Sequence, residues 1–226
     1  MENCGFCSEI NLHIDDFNLF NRYFSGVFNT QDRVAFRNEK WLFLPTAGCY
    51  VEGYLLAVNE SHYASFYQCP YEDKIGLIYF FSELNKMYRD IYKSRFIYFE
   101  HGAVKNEYKS TCCIDHVHLH FGPFNKPIWQ EVISTYKAKY YTLNSLLELN
   151  ELIDSKGIAS YLLFGDADGE IYLIDSTSDI FPSQFFRMLL YNYFYIDNNV
   201  KWDWRKYFFI DNMYNTYLKF KSYREL

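Results

Sequence analysis

The chain has 226 residues, of which 50% are hydrophobic and 22% are charged, which excludes a disordered or collagen-like protein. The formal net charge of −6 disfavours broad binding to a nucleic-acid backbone, which needs a basic surface. No apolar run is long enough to predict a membrane span, and no secretion signal is evident. The six cysteines are therefore expected to be reduced thiols or metal ligands in a cytoplasmic protein.

The first half of the chain predicts a β-rich α+β unit. Short apolar runs separated by polar turns indicate strands, and apolar residues at helical spacing indicate one long helix. In chain order the predicted elements are a hairpin of Arg33–Arg37 and Trp41–Leu44, a strand at Gly53–Asn59, a helix at Tyr71–Lys93, a strand at Arg95–Phe99, a loop at Glu100–Thr111 and a strand at Cys112–Phe121.

The second half begins after Pro123 and Pro127, which interrupt the pattern and predict a boundary. We therefore expect a first domain over residues 1–125 and a C-terminal α/β extension, packed on it, over residues 126–226. The elements predicted in the extension are helices at Ile128–Lys137 and Asn144–Lys156, a hairpin of Ala159–Phe164 and Glu170–Ile174, and helices at Pro182–Phe194 and Asp211–Ser222.

Three histidines alternate with apolar residues in the strand predicted at Cys112–Phe121. Successive side chains of a strand point to opposite faces, so His116, His118 and His120 are expected to line one face. Imidazole suits nucleophilic, acid–base and metal-ligand chemistry near neutral pH. Alternating histidines also occur in metal-only sites that bind iron or manganese, and that alternative stays open here. His13 and His101 are expected to be ordinary surface or loop residues.

The N-terminal Cys4-Gly5-Phe6-Cys7 has the spacing that lets two thiolates bind one metal ion. A tetrahedral site needs two more ligands, for which His62 and the alternating histidines are candidates. A thioredoxin-like redox role is disfavoured, because that motif is expected between a strand and a helix rather than near the N-terminus.

These motifs together resemble the histidine-triad (HIT) family, whose motif is His-φ-His-φ-His-φ-φ with φ apolar. The resemblance covers roughly residues 1–125, and the motifs keep the family's order along the chain. The matching segments are Cys4-Gly5-Phe6-Cys7, Glu52-Gly53-Tyr54-Leu55-Leu56-Ala57-Val58-Asn59-Glu60-Ser61-His62, Phe99-Glu100-His101-Gly102 and His116-Val117-His118-Leu119-His120-Phe121-Gly122.

The resemblance implies an α+β fold with a HIT-like antiparallel sheet and a nucleotide hydrolase or nucleotidyltransferase. His118 would attack the α-phosphorus of a nucleoside phosphate derivative, such as a phosphoramidate or dinucleoside polyphosphate, and form a nucleotidyl-His118 intermediate. His120 would hold and polarise the phosphate, and His116 would be a structural member. By position, Cys4, Cys7, His62 and His116 would form a structural zinc site.

The chain also departs from the family pattern. Tyr54 replaces a frequent fourth histidine, no carboxylate stands near Thr46 to hold the ribose, and Cys113 replaces a frequent phosphate-binding Ser or Thr. Nearby polar residues could bind the substrate instead, namely Asn106, Ser110 and Thr111. These departures suggest an alternative function, a non-catalytic nucleotide- or RNA-binding module with the same fold.

Two further expectations concern the helices. Many relatives dimerise through the long helix, so the predicted helix Tyr71–Lys93 is a candidate homodimer interface. In the C-terminal extension, Gln184, Arg187 or Arg205 could reach the phosphate or the base. The other interpretation is an amphipathic helix that only covers one face of the sheet, with nearby tryptophans as packing residues.

Overall fold

The computed structural model describes residues 4–12, 18–26, 28, 32–105, 116–124, 129–177, 181–182, 184–194 and 201–225. Short single turns of 3₁₀ helix precede α3 and α5. The other elements, in chain order, are α1 (Gly5–Ile10), α2 (Leu19–Tyr23), β1 (Phe36–Asn38), β2 (Trp41–Pro45), β3 (Leu55–Asn59), α3 (Tyr71–Tyr92), β4 (Ile97–Ala103), β5 (His118–Gly122), α4 (Trp129–Tyr136), β6 (Tyr140–Leu143), α5 (Leu149–Lys156), β7 (Ser160–Asp166), β8 (Ile171–Asp175), α6 (Phe185–Phe194) and α7 (Ile210–Glu225).

The strands of the described residues form one eight-stranded sheet with the order β1-β2-β3-β5-β4-β7-β8-β6. Every neighbouring pair is antiparallel, so the predicted α+β class with an antiparallel sheet and a long helix is confirmed. Strands β6, β7 and β8 come from residues 126–226 and continue the sheet through the pairing of β4 with β7. The division into domains 1–125 and 126–226 stays a prediction, and backbone hydrogen bonds cross that boundary.

The sheet separates an aromatic core from the face that carries the histidines. On β5, Leu119 and Phe121 are fully buried, and Phe121 contacts Phe81 of α3 at a ring-centroid distance of 5.7 Å. His118 and His120 alternate with them and therefore lie on the opposite face. Helix α6 packs over that opposite face, where Phe186 contacts Phe99 of β4 at 4.9 Å. The fold thus leaves the triad face between α1 and α6.

Three sequence predictions are corrected. Residues 100–103, predicted as a loop, belong to β4, because Glu100 is buried in the strand and its carboxylate accepts hydrogen bonds from the Phe66 N–H and the Tyr161 hydroxyl. β5 begins at His118, so His116 lies before the strand. Helices α1 and α2 and strand β6 were not predicted, since each is too short to show a clear period. None of the described helices is both long and apolar enough to cross a membrane.

Candidate active site and metal centre

A cleft with an empty volume of about 760 Å³, its open mouth included, lies over the triad face of the sheet. His118 and His120 lie on its wall with ring centroids 5.1 Å apart. Its lining combines these histidines with aromatic, cationic and polar side chains from α1, the segment before β1, the β2–β3 segment, β4, α6 and the segments that flank α6. They include Phe6, Arg33, Thr46, Phe99, His101, Gln184, Phe185, Phe186, Arg187 and Trp204.

The backbone fixes which nitrogen of His118 is available for chemistry. His118 Nδ1 lies 2.7 Å from the carbonyl oxygen of His116. A carbonyl can only accept a hydrogen bond, so Nδ1 carries the proton and donates it. In the neutral ring, Nε2 then keeps its lone pair. His118 therefore presents the tautomer whose Nε2 can act as a nucleophile in the cleft.

His120 is held on two sides by aromatic residues. Its ring stacks on Phe99 with centroids 4.6 Å apart and planes 7° apart, and its Nδ1 lies 3.0 Å from the Tyr54 hydroxyl. Burial raises the pKa of Tyr54, so the phenol keeps its proton. The hydrogen-bond partner that the described residues give this buried phenol is His120 Nδ1, so the Tyr54 O–H is directed to that nitrogen. The single N–H proton of the neutral His120 ring is then on Nε2.

Burial also keeps His120 neutral. It lowers the pKa of His120 well below the usual histidine value, and the charges of His118 and Arg187 lower it further. A neutral imidazole with a proton on Nε2 is a hydrogen-bond donor that adds no charge of its own. Tyr54 lies behind His120 and is fully buried. It therefore orients this histidine and does not line the cleft.

The C-terminal segment contributes directly to the cleft. Gln184, Arg187 and Trp204 line it, so this segment does more than cover a sheet face. Arg205 instead pairs with Asp203 at 2.9 Å. Burial acts to raise the pKa of Asp203, but hydrogen bonds from Arg205 and Gln184 outweigh it and bring the pKa to about 2. The ionised Asp203 thus holds Gln184 at the cleft wall through a 2.9 Å hydrogen bond.

Three residues at the cleft were missed by the sequence analysis or assigned to other places. His101, expected on a surface or loop, lies on β4 and lines the cleft, and burial lowers its pKa to about 4. Arg33 is buried and forms a forked ion pair with Glu9 at 2.7 and 3.1 Å. Thr46 follows β2 and lines the cleft. It lies near the sequence position at which the family pattern has a carboxylate that holds the ribose and this chain has none. Only the Phe99-Glu100-His101-Gly102 motif could have indicated His101.

The predicted metal ligands Cys4, Cys7, His62 and His116 come together in the structure. Their ligand atoms all lie within 4.8 Å of one another. Cys7 Sγ lies 3.3 Å from His62 Nδ1, and His116 Nδ1 lies 3.5 Å from both sulfurs. These three spacings match a tetrahedral site, because metal–ligand distances near 2.0–2.3 Å place the ligand atoms about 3.5 Å apart. The group could therefore hold a metal ion.

The hydrogen bonds around the cluster are compatible with a bound metal ion. His116 Nε2 lies 2.7 Å from the Asn59 carbonyl oxygen, to which it donates its proton, and Nδ1 is left with the lone pair that faces the sulfurs. The Cys7 N–H donates to Cys4 Sγ at 3.5 Å, a bond that favours a thiolate. Burial, with Cys4 beside it, raises the pKa of the metal-free Cys7 thiol to about 11, so metal binding must release its proton.

Several predicted residues lie outside the described part of the chain. They include the proposed substrate-binding residues Asn106, Ser110 and Thr111, as well as Cys113 and His13. Their roles stay predictions. The described cleft already contains two of the three triad histidines, while His116 links it to the metal cluster through the His118 hydrogen bond.

Comparison with known proteins finds similarity only among solved structures, of which eight chains match. No family model matches the sequence, and no curated protein matches it. A hypothetical histidine triad nucleotide-binding protein from Sulfolobus tokodaii aligns with a TM-score of 0.35 and 17% identity over 55% of this chain and 70% of that chain. A yeast Ap4A phosphorylase, in complex with AMP, aligns with a TM-score of 0.40 and 15% identity over 59% of this chain and 55% of that chain.

Proposed function

We propose that the protein is a nucleotide hydrolase or nucleotidyltransferase that acts at the α-phosphate of a nucleoside phosphate derivative. His118 Nε2 attacks the phosphorus, and the bond to the leaving group breaks as the new P–N bond forms. The leaving group departs with the electron pair and takes a proton from water. Water, or another acceptor, then displaces His118 and releases the nucleoside monophosphate or the transfer product.

The observation that carries the proposal is the opposite protonation of two neighbouring histidines. The His116 carbonyl holds the proton on His118 Nδ1, and Tyr54 holds the proton of His120 on Nε2. The His118 ring thus supplies a lone pair, and the His120 ring supplies a hydrogen-bond donor for a phosphoryl oxygen. The centroids of the two rings are 5.1 Å apart. This combination suits attack on a phosphate. In this proposal Tyr54 orients His120 and does not relay a proton to the leaving group.

The proposal is tested with an adenosine or guanosine phosphoramidate and a dinucleoside polyphosphate. We expect monophosphate release by the full chain, and loss of at least about 10³-fold in kcat in His118→Ala, as expected when a nucleophile is removed. Arg95→Gln, which removes an exposed charge of the loop before β4, is the matched control and keeps its rate. A His118→Ala variant with wild-type activity contradicts the mechanism.

The alternative is a non-catalytic nucleotide- or RNA-binding module. Tyr54 in place of a fourth histidine favours it, as does Thr46 near the place of the ribose carboxylate. The cleft itself would serve either function, because its aromatic side chains can stack on a base. Tight binding of the same nucleotides without any release of monophosphate supports this second function.

We also propose that Cys4, Cys7, His62 and His116 bind zinc as a structural ion. A set of two thiolates and two imidazoles is a closed, tetrahedral donor set that zinc prefers. It would join the N-terminal helix α1 to the segment that precedes β5. Metal analysis should find about one zinc per chain in wild type and in Cys69→Ala, which alters a buried thiol elsewhere, and much less in Cys4→Ser. A zinc-free wild type contradicts the assignment.

Partner and location predictions follow from the same function. A nucleotide is the predicted partner, and the negative net charge still disfavours broad nucleic-acid binding. The cytoplasmic location stays a prediction. A homodimer through α3 is a further prediction, since Tyr71 and Tyr79 of this helix are 59% and 76% exposed. Sedimentation should show a dimer that Tyr79→Glu weakens, and a monomeric wild type contradicts it.

A further inference from the structure

The cleft contains a further histidine that the proposed mechanism does not use. His101 lines the cleft together with His118 and His120, although it belongs to the neighbouring strand β4. Its side chain is half-buried, and burial lowers its pKa to about 4. His101 is therefore neutral near pH 7, and a neutral imidazole has one N–H donor and one lone pair.

The pairing of β4 with β5 places His101 beside the nucleophile. Phe99 of β4 pairs with His120 of β5, and their rings stack with centroids 4.6 Å apart. The two strands are antiparallel, and every second residue of a strand returns to the same face. One such step from this pair leads to His101 on β4 and to His118 on β5, both within their strands. His101 and His118 are therefore cross-strand neighbours on the cleft face of the sheet.

The other side chains in this row of the sheet are apolar. Val58 of β3 pairs with His118, and it is fully buried. Leu162 of β7 pairs with His101 and is also fully buried. Of the two cross-strand neighbours of His118, only His101 can therefore form a hydrogen bond with a ligand.

The geometry of the attack determines which ligand atoms lie beside His118. The leaving group lies in line with the attacking His118 Nε2, on the opposite side of the phosphorus. The other phosphoryl oxygens lie around this line, near the side chains that neighbour His118. His120 is the neighbour along β5, and His101 is the neighbour across the strands. Ionised oxygens can only accept hydrogen bonds, so each of them needs a donor such as an imidazole N–H.

We propose that His101 is a further catalytic residue, whose N–H donates a hydrogen bond to a non-bridging oxygen of the phosphate attacked by His118. This inference rests on the proposed function and adds one residue to its mechanism. His120 bonds the other non-bridging oxygen, so two neutral donors hold the two oxygens. They stabilise the charge that develops on these oxygens without the strong attraction to the released monophosphate that a cation would add.

Binding of AMP and adenosine tests this contact without turnover, and GMP with guanosine covers the unknown base. Calorimetric titration of the full chain should show tighter binding of the monophosphate than of the nucleoside. His101→Leu should reduce this preference at least about fivefold, as loss of one hydrogen bond to a charged group does, and leave nucleoside affinity unchanged. His101→Gln retains an N–H donor and should keep most of the preference, and Arg95→Gln, which removes an exposed charge, should keep all of it. A wild type without the preference, or an unchanged preference in His101→Leu, overturns the proposal.

A sulfur substitution separates this contact from a purely structural role. Sulfur is a weak hydrogen-bond acceptor, and the two diastereomers of an α-phosphorothioate substrate place it at one or the other non-bridging position. His101→Leu should lower kcat for the oxygen substrate at least about tenfold, as expected when a donor to a charged oxygen is removed. It should slow one diastereomer much less and the other as much as the oxygen substrate. Equal slowing of all three substrates overturns the proposal.

A measurement on the wild type covers the case in which His101→Leu does not fold. Nuclear magnetic resonance of histidine-labelled protein should show that AMP shifts the ring-nitrogen signals of His101, which are identified by their absence in His101→Gln. Unshifted signals at saturating AMP overturn the proposal. If the monophosphate preference depends on His101 but the wild type releases no monophosphate, the proposed enzyme alone is refuted.

Discussion

Replacing Tyr54 with Phe tests how the structure sets the protonation of His120. The substitution removes only the hydroxyl that lies 3.0 Å from His120 Nδ1 and keeps the ring that packs against Phe99 and Phe124. His120 Nδ1 then loses a buried partner, at a cost of about 1–3 kcal/mol. Its proton is also no longer held on Nε2, where the phosphate needs a donor.

If that energy is lost from the transition state, kcat should fall roughly five- to 150-fold with little change in KM. Steady-state hydrolysis of a nucleotide substrate, measured beside thermal unfolding, separates activity from stability. Tyr161→Phe is the matched control, because it removes another buried hydroxyl, bonded to Glu100 at 2.7 Å, that contacts no triad histidine. It should lose stability but keep its kcat. Equal kcat values for Tyr54→Phe and wild type would refute the reasoning.

Two other predictions concern stability. Burial lowers the pKa of His101 from 6.5 to about 4. Between these two pH values the unfolded chain binds more protons than the folded chain. The free energy of unfolding therefore falls as the pH falls, by at most about 3 kcal/mol. Urea unfolding from pH 7 to pH 4 should show a flatter loss for His101→Gln, and an identical slope contradicts this. Glu9→Gln leaves Arg33 buried without its charge partner and should lower the free energy of unfolding by about 3–5 kcal/mol. Its control is Glu60→Gln, which breaks an exposed pair with Arg37 and should lower that free energy by less than about 1 kcal/mol. Equal costs for these two variants contradict the argument.

The parts of the site that could be predicted from the sequence are those fixed by local geometry. The period of two in β5 separates His118 and His120 from Leu119 and Phe121 without reference to any other element. The metal cluster could be predicted from local spacing only in part. The Cys-x-x-Cys spacing indicates two ligands, but His62 and His116 were assigned through the family resemblance, and the structure then brings all four together.

The remainder depends on contacts between distant parts of the chain. Glu100 breaks the apolar pattern of β4, so the strand was predicted to end early, although Phe66 and Tyr161 satisfy its carboxylate. Arg187 is separated from its acceptor Thr46 by 141 residues, and no local period could place the two together. Interactions of this kind are decided by tertiary packing, which a single sequence does not display.

The central claim is that His118 forms a covalent bond to the substrate. A reaction with a dinucleoside polyphosphate should be quenched in alkaline denaturant and analysed by mass spectrometry of the intact chain and its peptides. We predict a mass increase of one nucleotidyl group on the peptide that contains His118, which is absent in His118→Ala and present in Arg95→Gln. Monophosphate release at the wild-type rate with no adduct at any quench time would contradict the account.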